Sequence, residues 1–203
     1  MKNQRLALFF GGLLISSAYT TSAQAATYEI DPTHTTAQFS VRHLMVSNVR
    51  GEFTGIKGTV KYDPKDPAAS VVDVTIDANT VNTRVEKRDI HLRGDEFFDT
   101  AKYPVLTFKS KKVDKTSDTT LRVTGDLTIH GVSKEIVLDV DNLTPEIVDP
   151  WGNARIGASA TAKIDRKDFG LAWNKALETG GVVVGDAVSI TIDVELVKQK
   201  PAA

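Results

Sequence analysis

The sequence contains no cysteine. This absence excludes disulfide bonds, cysteine-ligated zinc sites, iron–sulfur clusters and thiol catalysis. An excess of one charge is also missing, because 25 Lys and Arg stand against 26 Asp and Glu among 203 residues. A domain that binds nucleic acid needs a basic face, so we expect no nucleic-acid partner.

Long hydrophobic runs are missing too, except at the N-terminus. Lys2 and Arg5 precede an apolar run at residues 6–18, and the small-residue sequence Ala23-Gln24-Ala25 follows it. This run is too short to span a bilayer, and the order of charge, apolar run and small residues is typical of a secretory signal peptide. We predict cleavage after Ala25, export from the cytoplasm, no membrane-spanning segment and one domain over 26–203. An uncleaved membrane anchor is the alternative.

Helical periodicity is scarce in residues 26–203, and alternation of apolar and polar residues replaces it. Eight alternating segments predict strands near 37–43, 51–63, 72–76, 106–108, 121–129, 136–140, 155–165 and 188–196. Such a series without interleaved helices is typical of an antiparallel sandwich or barrel. We favour an all-β, eight-stranded barrel, because closure removes the unpaired strand edges. The long connection 78–103 has the only helical pattern, around residues 85–92.

Small residues on the predicted inner face bear on function. An eight-stranded barrel either fills its interior with side chains or holds one small ligand. Ala158 and Ala160 share the inner face of the seventh strand, and the second strand is rich in glycine. An elongated apolar cavity is one interpretation, and small residues packed under a loop or helix are the other. The aromatic and aliphatic residues expected to line such a cavity are Phe39, Val41, Phe53, Leu106 and Phe108.

Polar candidates come from the first strand and the helical segment. His43 shares a strand face with Phe39 and Val41, and a buried imidazole needs a hydrogen-bond partner. Asp89 or a ligand head group could be that partner, and Asp89 is itself a candidate for contact with the head group. Arg42 could bind a phosphate with two parallel hydrogen bonds, but strict alternation turns it away from the interior unless a bulge near residues 48–51 reverses it.

The segment 86–92 is dense in charge within an otherwise β pattern. If Ile90 and Leu92 pack inward, then Arg88, Asp89 and His91 cannot all face solvent. The segment is either a lid that presents Arg88 and His91 to a polar head group or an ordinary amphipathic connector. Phe97 and Phe98 follow it, and they either cap a ligand at the barrel mouth or simply pack the connector.

Sequence motifs for catalysis are absent. The four histidines do not form HExxH, no GxSxG occurs, and the Gly-rich run 180–185 lacks the Lys-Ser/Thr of a phosphate-binding loop. A metal site made of His43, Asp89 and His91 is conceivable, but no spacing requires it. We therefore predict a binding protein without catalytic residues, metal or cofactor; a His-dependent enzyme remains an alternative.

Four segments in order carry a family resemblance: Asp31 to His43 with Gly51-Glu52-Phe53, Arg88 to Pro104, Gly125 to Val132, and Arg166 to Gly170. Together they resemble the YceI-like family of periplasmic lipid-binding proteins. The resemblance implies a lipocalin-like barrel in the periplasm that holds a long amphiphile, such as a polyisoprenoid or a fatty-acid-like lipid. The alternative is a stress-related secreted barrel without a ligand, and homodimer formation is left open.

Overall fold

The structure is a computed structural model that describes residues 25–178 and 180–200. The predicted signal peptide therefore lies outside the described residues, apart from Ala25. The described chain forms one α-helix, α1 (Glu86–Arg93), and eleven β-strands. In chain order the strands are β1 (Ala26–Ile30), β2 (Thr36–His43), β3 (Ser47–Phe53), β4 (Ile56–Tyr62), β5 (Val71–Asp77), β6 (Val105–Lys115), β7 (Leu121–Ile129), β8 (Val132–Asp141), β9 (Ile147–Val148), β10 (Ala154–Asp165) and β11 (Val184–Lys198).

The strands close into an antiparallel barrel. Neighbouring strands around the ring are β11, β1, β4, β5, β6, β7, β8 and β10, and β10 pairs again with β11. β1 and β2 follow one another along the same side of β11, while β3 pairs with β2 and β4 pairs with β1. β1 and β2 are therefore one long strand with an interruption, and so are β3 and β4. The predicted eight-stranded barrel with a short helix is confirmed.

The sequence pattern predicts neither interruption: it treats β3 and β4 as one strand, and it omits β1. Residues 51–63 are predicted as one strand, but the chain bends at Thr54-Gly55, where both backbone N–H groups donate to Thr80 Oγ1 at 3.2 Å. β1 is not predicted at all. It ends before Asp31-Pro32 because proline cannot donate a backbone hydrogen bond.

The interior follows the alternation of the sequence. In β11, Val188, Ile190, Ile192, Val194 and Leu196 all face the inside of the barrel. Leu196 is buried, whereas Val188, Ile190 and Ile192 are only half-buried. Side chains in a close-packed core lose nearly all of their exposure. The half-buried inner positions therefore indicate an interior that the side chains do not fill.

One end of the barrel is covered by α1, by the residues that follow it and by the connection between β10 and β11. Phe98 packs edge-on against Phe53 of β3, with ring centroids 5.5 Å apart. Trp173, in the β10–β11 connection, lies 5.4 Å from the ring of Phe97. No helix within residues 25–178 or 180–200 is both long enough and apolar enough to cross a bilayer.

Candidate functional site

The barrel encloses a cavity of about 430 Å³. That volume falls in the usual range of small-molecule sites, roughly 300–1,000 Å³. The cavity is long, because Val184 and Leu196, near opposite ends of β11, both line it. At ~3.3 Å per residue these positions are roughly 40 Å apart along the strand, or roughly 30 Å along the barrel axis after the usual tilt. A volume of this size spread over such a length is a narrow tunnel.

All of the apolar residues predicted from the sequence lie on the wall of this cavity. They are Phe39, Val41, Phe53, Leu92, Phe97, Phe98, Leu106, Phe108, Ala158 and Ala160. The small residues of the inner faces therefore border open space rather than a packed loop. Contact of these residues with a ligand stays a prediction.

Glycine makes room for one of these aromatic residues. A Cβ atom at Gly51 would lie 2.4 Å from Cζ of Phe39. Phe39 in turn packs against Phe53, with centroids 5.8 Å apart. Any larger residue at position 51 would therefore displace the Phe39 ring from the cavity wall.

The ionisable side chains at the cavity are concentrated at the covered end. His43 pairs with Val184 across β2 and β11, and Val184 O accepts a hydrogen bond from Arg166. Arg166 also donates to the carbonyl oxygen of Trp173, and the Trp173 ring lies 5.2 Å from that of His91. These contacts bring His43, His91, Arg166 and Trp173 together at the covered end of the cavity, which we call the mouth.

The predicted polar residues divide into two groups. His43, Arg42, Arg88 and His91 line the cavity, whereas Asp89 does not. The carboxylate of Asp89 is buried and accepts hydrogen bonds from the Thr83 backbone N–H at 2.8 Å and from Thr83 Oγ1 at 2.5 Å. It is therefore neither the partner of His43 nor part of a His43–Asp89–His91 metal site. Its position fixes the start of α1 to the chain before it.

Arg88 combines an anchoring role with a place at the cavity. Its Nε donates to Thr83 Oγ1 at 2.7 Å, and one terminal nitrogen donates to the Thr83 carbonyl at 2.9 Å. These bonds orient the guanidinium while it remains part of the wall. The helix is therefore tied down by Arg88 and Asp89 together, and it presents Arg88 to the mouth in one orientation.

His91 belongs to an aromatic cluster at the mouth. Its ring meets Phe97 and Trp173 edge-to-face, with centroid distances of 5.0 and 5.2 Å. Its Nε2 lies 2.7 Å from a carboxylate oxygen of Glu96. Edge-to-face packing of this kind is favourable beyond the area it buries. The cluster holds α1 against the β10–β11 connection and narrows the opening.

Arg42 lines the cavity at the rim, but its guanidinium points outward. It is exposed and donates to the Met45 carbonyl at 2.9 Å. Strict alternation predicted this outward direction, and no bulge reverses it, since β2 and β3 pair in regular register over residues 47–53. The irregularity lies on the other side of β2, in β11 between Val184 and Val188.

Arg166 and Trp173 also line the mouth, and neither was among the predicted site residues. Arg166 is almost fully buried, and its donors reach the carbonyls of Gly185, Leu171, Trp173 and Val184 and the carboxylate of Asp186. The topology of the barrel could have predicted that these two residues lie at the mouth. A connection between β10 and β11 must begin at the end of the barrel where β2 ends, so residues 166–183 must lie beside His43.

Charge at the cavity wall has one sign. Arg88 and Arg166 belong to the wall and Arg42 to its rim, and no Asp or Glu of residues 25–178 and 180–200 lines the cavity. Asp186, which is not part of the wall, pairs with Arg166 at 3.2 Å. Most of the remaining wall is aliphatic or aromatic. The arrangement can therefore hold a long apolar chain with an anionic or acceptor-rich group at the mouth.

A second polar cluster lies at the opposite end of the barrel. Arg155 donates to Asp149 at 2.6 Å and to Asp31 at 2.7 Å, and it also pairs with Glu195. Hydrogen bonds from Thr33, then from Arg155 and His34, hold the pKa of Asp31 well below its usual range. Burial raises the pKa of Asp149, but hydrogen bonds from Arg155 and Asn153 outweigh this and lower it to about 2.

Asp31, His34 and Glu195 in that cluster are close enough to share a metal ion. The guanidinium of Arg155 already supplies positive charge to both carboxylates. The cluster is therefore an ion-pair network that ties the β1–β2 junction to β10 and β11.

Comparison with known proteins identifies the family. A model of the YceI-like domain matches residues 28–196. Protein YceI of Escherichia coli O17:K52:H18 is 41% identical over 202 residues, covering 98% of this chain and 100% of the relative. The crystal structure of the Campylobacter jejuni YCEI protein is 38% identical with a TM-score of 0.66, covering 78% of this chain and 90% of that one.

A more distant structure has the same fold. It is a polyisoprenoid binding domain from Saccharophagus degradans, described as implicated in plant cell wall breakdown. It is 19% identical with a TM-score of 0.62, covering 87% of this chain and 100% of that domain. The family match and the close relatives extend over nearly the whole described barrel, and the chain belongs to the YceI-like family.

Proposed function

We propose that this protein is a periplasmic carrier that holds one long-chain amphiphile, such as a polyisoprenoid or a fatty-acid-like lipid, inside the barrel. The observation that carries the proposal is the narrow apolar cavity of about 430 Å³ with its cationic residues at one end. A single flexible chain fits such a tunnel, whereas a wide, rigid ligand does not. The signal peptide predicted from the sequence of residues 1–25 supports the periplasmic location.

The head group is expected at the mouth. Arg88 and His91 lie there, together with His43 and the buried Arg166. A carboxylate or phosphate at this point keeps partial contact with water, so that its desolvation penalty is small. The tail then extends past Phe39 and Ala160 toward the other end of the barrel.

Burial of the tail is the main source of affinity. A chain that loses ~300–400 Å² of apolar surface gains roughly 8–10 kcal/mol at ~25 cal/mol per Å². Part of this gain is lost when the ligand and the mouth residues become immobile. The name of the Saccharophagus degradans domain, a polyisoprenoid binding domain, supports a ligand of the same chemical class here.

Blocking the tunnel tests the proposal. Ala160 is on the inner face of β10, where it pairs with Val140 and Ile192. Ala160→Trp places an indole across the lumen, so uptake of a fluorescent long-chain fatty acid should fall to background. Thr161→Trp is the matched control, because Thr161 is the next residue of the strand and is exposed.

Circular dichroism and thermal unfolding establish that both variants are folded before uptake is compared. A folded Ala160→Trp protein that still takes up the lipid as the unsubstituted protein does would refute binding inside the barrel. Equal loss in the Thr161→Trp control would show that uptake depends on something other than the lumen.

A further inference from the structure

The loop between β2 and β3 has an apolar tip in solvent. Leu44, Met45 and Val46 are 38%, 49% and 74% exposed. None of the three lines the cavity. Three consecutive exposed apolar side chains in a tight loop are costly to keep in water, and such patches commonly mark interaction sites. We call residues 44–46 the apolar tip.

The apolar tip is held in one conformation. Leu44 and Met45 have φ angles of +49° and +62°, a left-handed backbone that these residues seldom adopt. The Leu44 N–H donates to the Val183 carbonyl at 2.8 Å, and Arg42 donates to the Met45 carbonyl at 2.9 Å. The loop therefore projects its side chains despite unfavourable backbone geometry.

The tip stands beside the mouth. His43, directly before it, and Val183, hydrogen-bonded to it, both line the cavity. α1, whose His91 belongs to the mouth, exposes Ile90 to 60%, and Val85, the residue before the helix, is 46% exposed. A second exposed apolar group therefore lies on the helix that contributes to the mouth.

Basic residues surround the tip. Arg42 and Arg50 flank it in β2 and β3, with no acidic residue between them, and both are exposed. Lys175 is exposed as well, and its carbonyl accepts a hydrogen bond from the N–H of Val183. The same β10–β11 connection contains the exposed Glu178, whereas residues 42–50 contain two arginines and no acidic residue. An apolar insertion flanked by cations matches the chemistry of a bilayer surface with anionic lipids.

We propose that the apolar tip inserts into a bilayer surface containing anionic phospholipid, so that the cavity mouth faces the membrane from which lipid is taken or to which it is delivered. The proposal rests on the carrier function above. Arg50 and Lys175 attract the anionic head groups, and Leu44, Met45 and Val46 enter the acyl region. Insertion then brings the mouth to the depth at which a lipid tail can slide into the tunnel.

Vesicle flotation tests the proposal with a variant designed to fold. Leu44→Asn/Met45→Asn removes the apolar side chains, and asparagine accepts left-handed backbone angles better than leucine or methionine. Protein produced from the full coding sequence, with its N-terminus identified by mass spectrometry, is floated with vesicles of phosphatidylcholine and phosphatidylglycerol in equal parts. We expect the substitution to weaken binding about tenfold or more.

Two further variants distinguish vesicle binding through the apolar tip from binding through other surfaces. Ile147→Thr/Val148→Thr is the matched control, because these residues are 61% and 71% exposed in β9 near the other end of the barrel, and it should bind like the unsubstituted protein. Arg50→Gln/Lys175→Gln should lose most of the preference for phosphatidylglycerol over pure phosphatidylcholine vesicles. High salt should have the same effect on the unsubstituted protein.

Equal flotation of the tip variant and the unsubstituted protein would overturn the proposal, as would equal losses in the β9 control. The proposal would also be overturned if the unsubstituted protein did not bind vesicles but formed dimers that the tip variant does not form. That result would assign the apolar tip to self-association. Uptake of dispersed fluorescent lipid gives a separate readout. If the unsubstituted protein takes up no lipid but still floats with vesicles in a way that depends on the apolar tip, the carrier function is refuted and membrane docking is supported.

Discussion

At the scale of single residues, Asp89 shows how a charged group at the edge of a binding site can be purely structural. Its carboxylate accepts two hydrogen bonds from Thr83, and both residues are buried. Thr83 Oγ1 also accepts a hydrogen bond from Arg88, so the three side chains form a short chain of bonds. Removing the carboxylate would leave the Thr83 donors without an acceptor in a buried place.

We therefore predict that Asp89→Ala lowers the free energy of unfolding by about 1.5–3 kcal/mol, the range for hydrogen bonds to charged groups. Urea denaturation followed by circular dichroism measures the change. Lys87→Ala, at an exposed position of the same helix, should change stability by less than about 0.5 kcal/mol. An Asp89→Ala protein as stable as the unsubstituted one would show that the Thr83 contacts contribute nothing.

The sequence predicted which way side chains point in the strands, but not in the helix. Alternation with a period of two assigned Phe39, Val41 and His43 to the inside of the barrel, and the structure places them there. Asp89 was predicted to face a head group, but its direction depends on Thr83, six residues earlier and outside the helix. Such local hydrogen-bond choices are not visible in hydrophobic periodicity.

At the scale of elements, the Arg155 network joins parts of the barrel that are distant in sequence. Asp31 lies between β1 and β2, Asp149 follows β9, and Glu195 is in β11. Hydrogen bonds from Asn153 and Trp151 also reach Asp149. The network therefore connects the β1–β2 junction, the turn at residues 149–153 and the long β10–β11 pair.

This network should make stability depend on pH in the acid range. An Asp whose pKa is lower in the folded chain than its unfolded value of about 3.9 stabilises the fold above that value. This contribution is lost as the pH falls through the folded pKa, which is about 2 for Asp149. Stability should therefore decline between about pH 4 and about pH 2.

Arg155→Met is the variant that tests this assignment. It should be less stable than the unsubstituted protein at pH 7, and the difference should shrink as the pH falls below about 4. Urea midpoints at several pH values provide the measurement. Arg122→Met is the control, because Arg122 forms an exposed pair with Asp139 at 3.2 Å. A difference for Arg155→Met that stays constant from pH 7 to pH 2 would contradict the account.

Among the elements, the strands were far more predictable than the connections. Each strand repeats its alternation over many residues, so the pattern of β11 identifies both the element and its inner face. The β10–β11 connection has no such period, and its conformation depends on Arg166, whose guanidinium gathers carbonyls from both ends of the connection. A buried arginine of this kind cannot be distinguished from a surface arginine by sequence pattern alone.

At the scale of the whole molecule, the main feature is a barrel whose interior is not filled. Ala158 and Ala160 on one wall, and Gly51 behind Phe39 on another, keep the lumen open. An open apolar lumen lacks the packing contacts that stabilise a filled core. A ligand that occupies the tunnel restores those contacts, so the protein should be more stable when loaded.

The resemblance of four short segments indicated the family and the barrel, and the inner alanines indicated the cavity. The shape of the lumen and the gathering of cations at one mouth could not be predicted, because they depend on how the two long connections close over the barrel end. The apolar tip was also not predicted, because its importance depends on its position beside the mouth, which the sequence pattern does not give.

The most direct test of the central claim is mass spectrometry of the organic extract from protein purified under native conditions. The account predicts a long-chain lipid in the extract, enriched over an extract of the folded Ala160→Trp variant prepared in the same way. An extract of the unsubstituted protein with no lipid above the level of that variant would contradict the claim that the barrel carries a lipid.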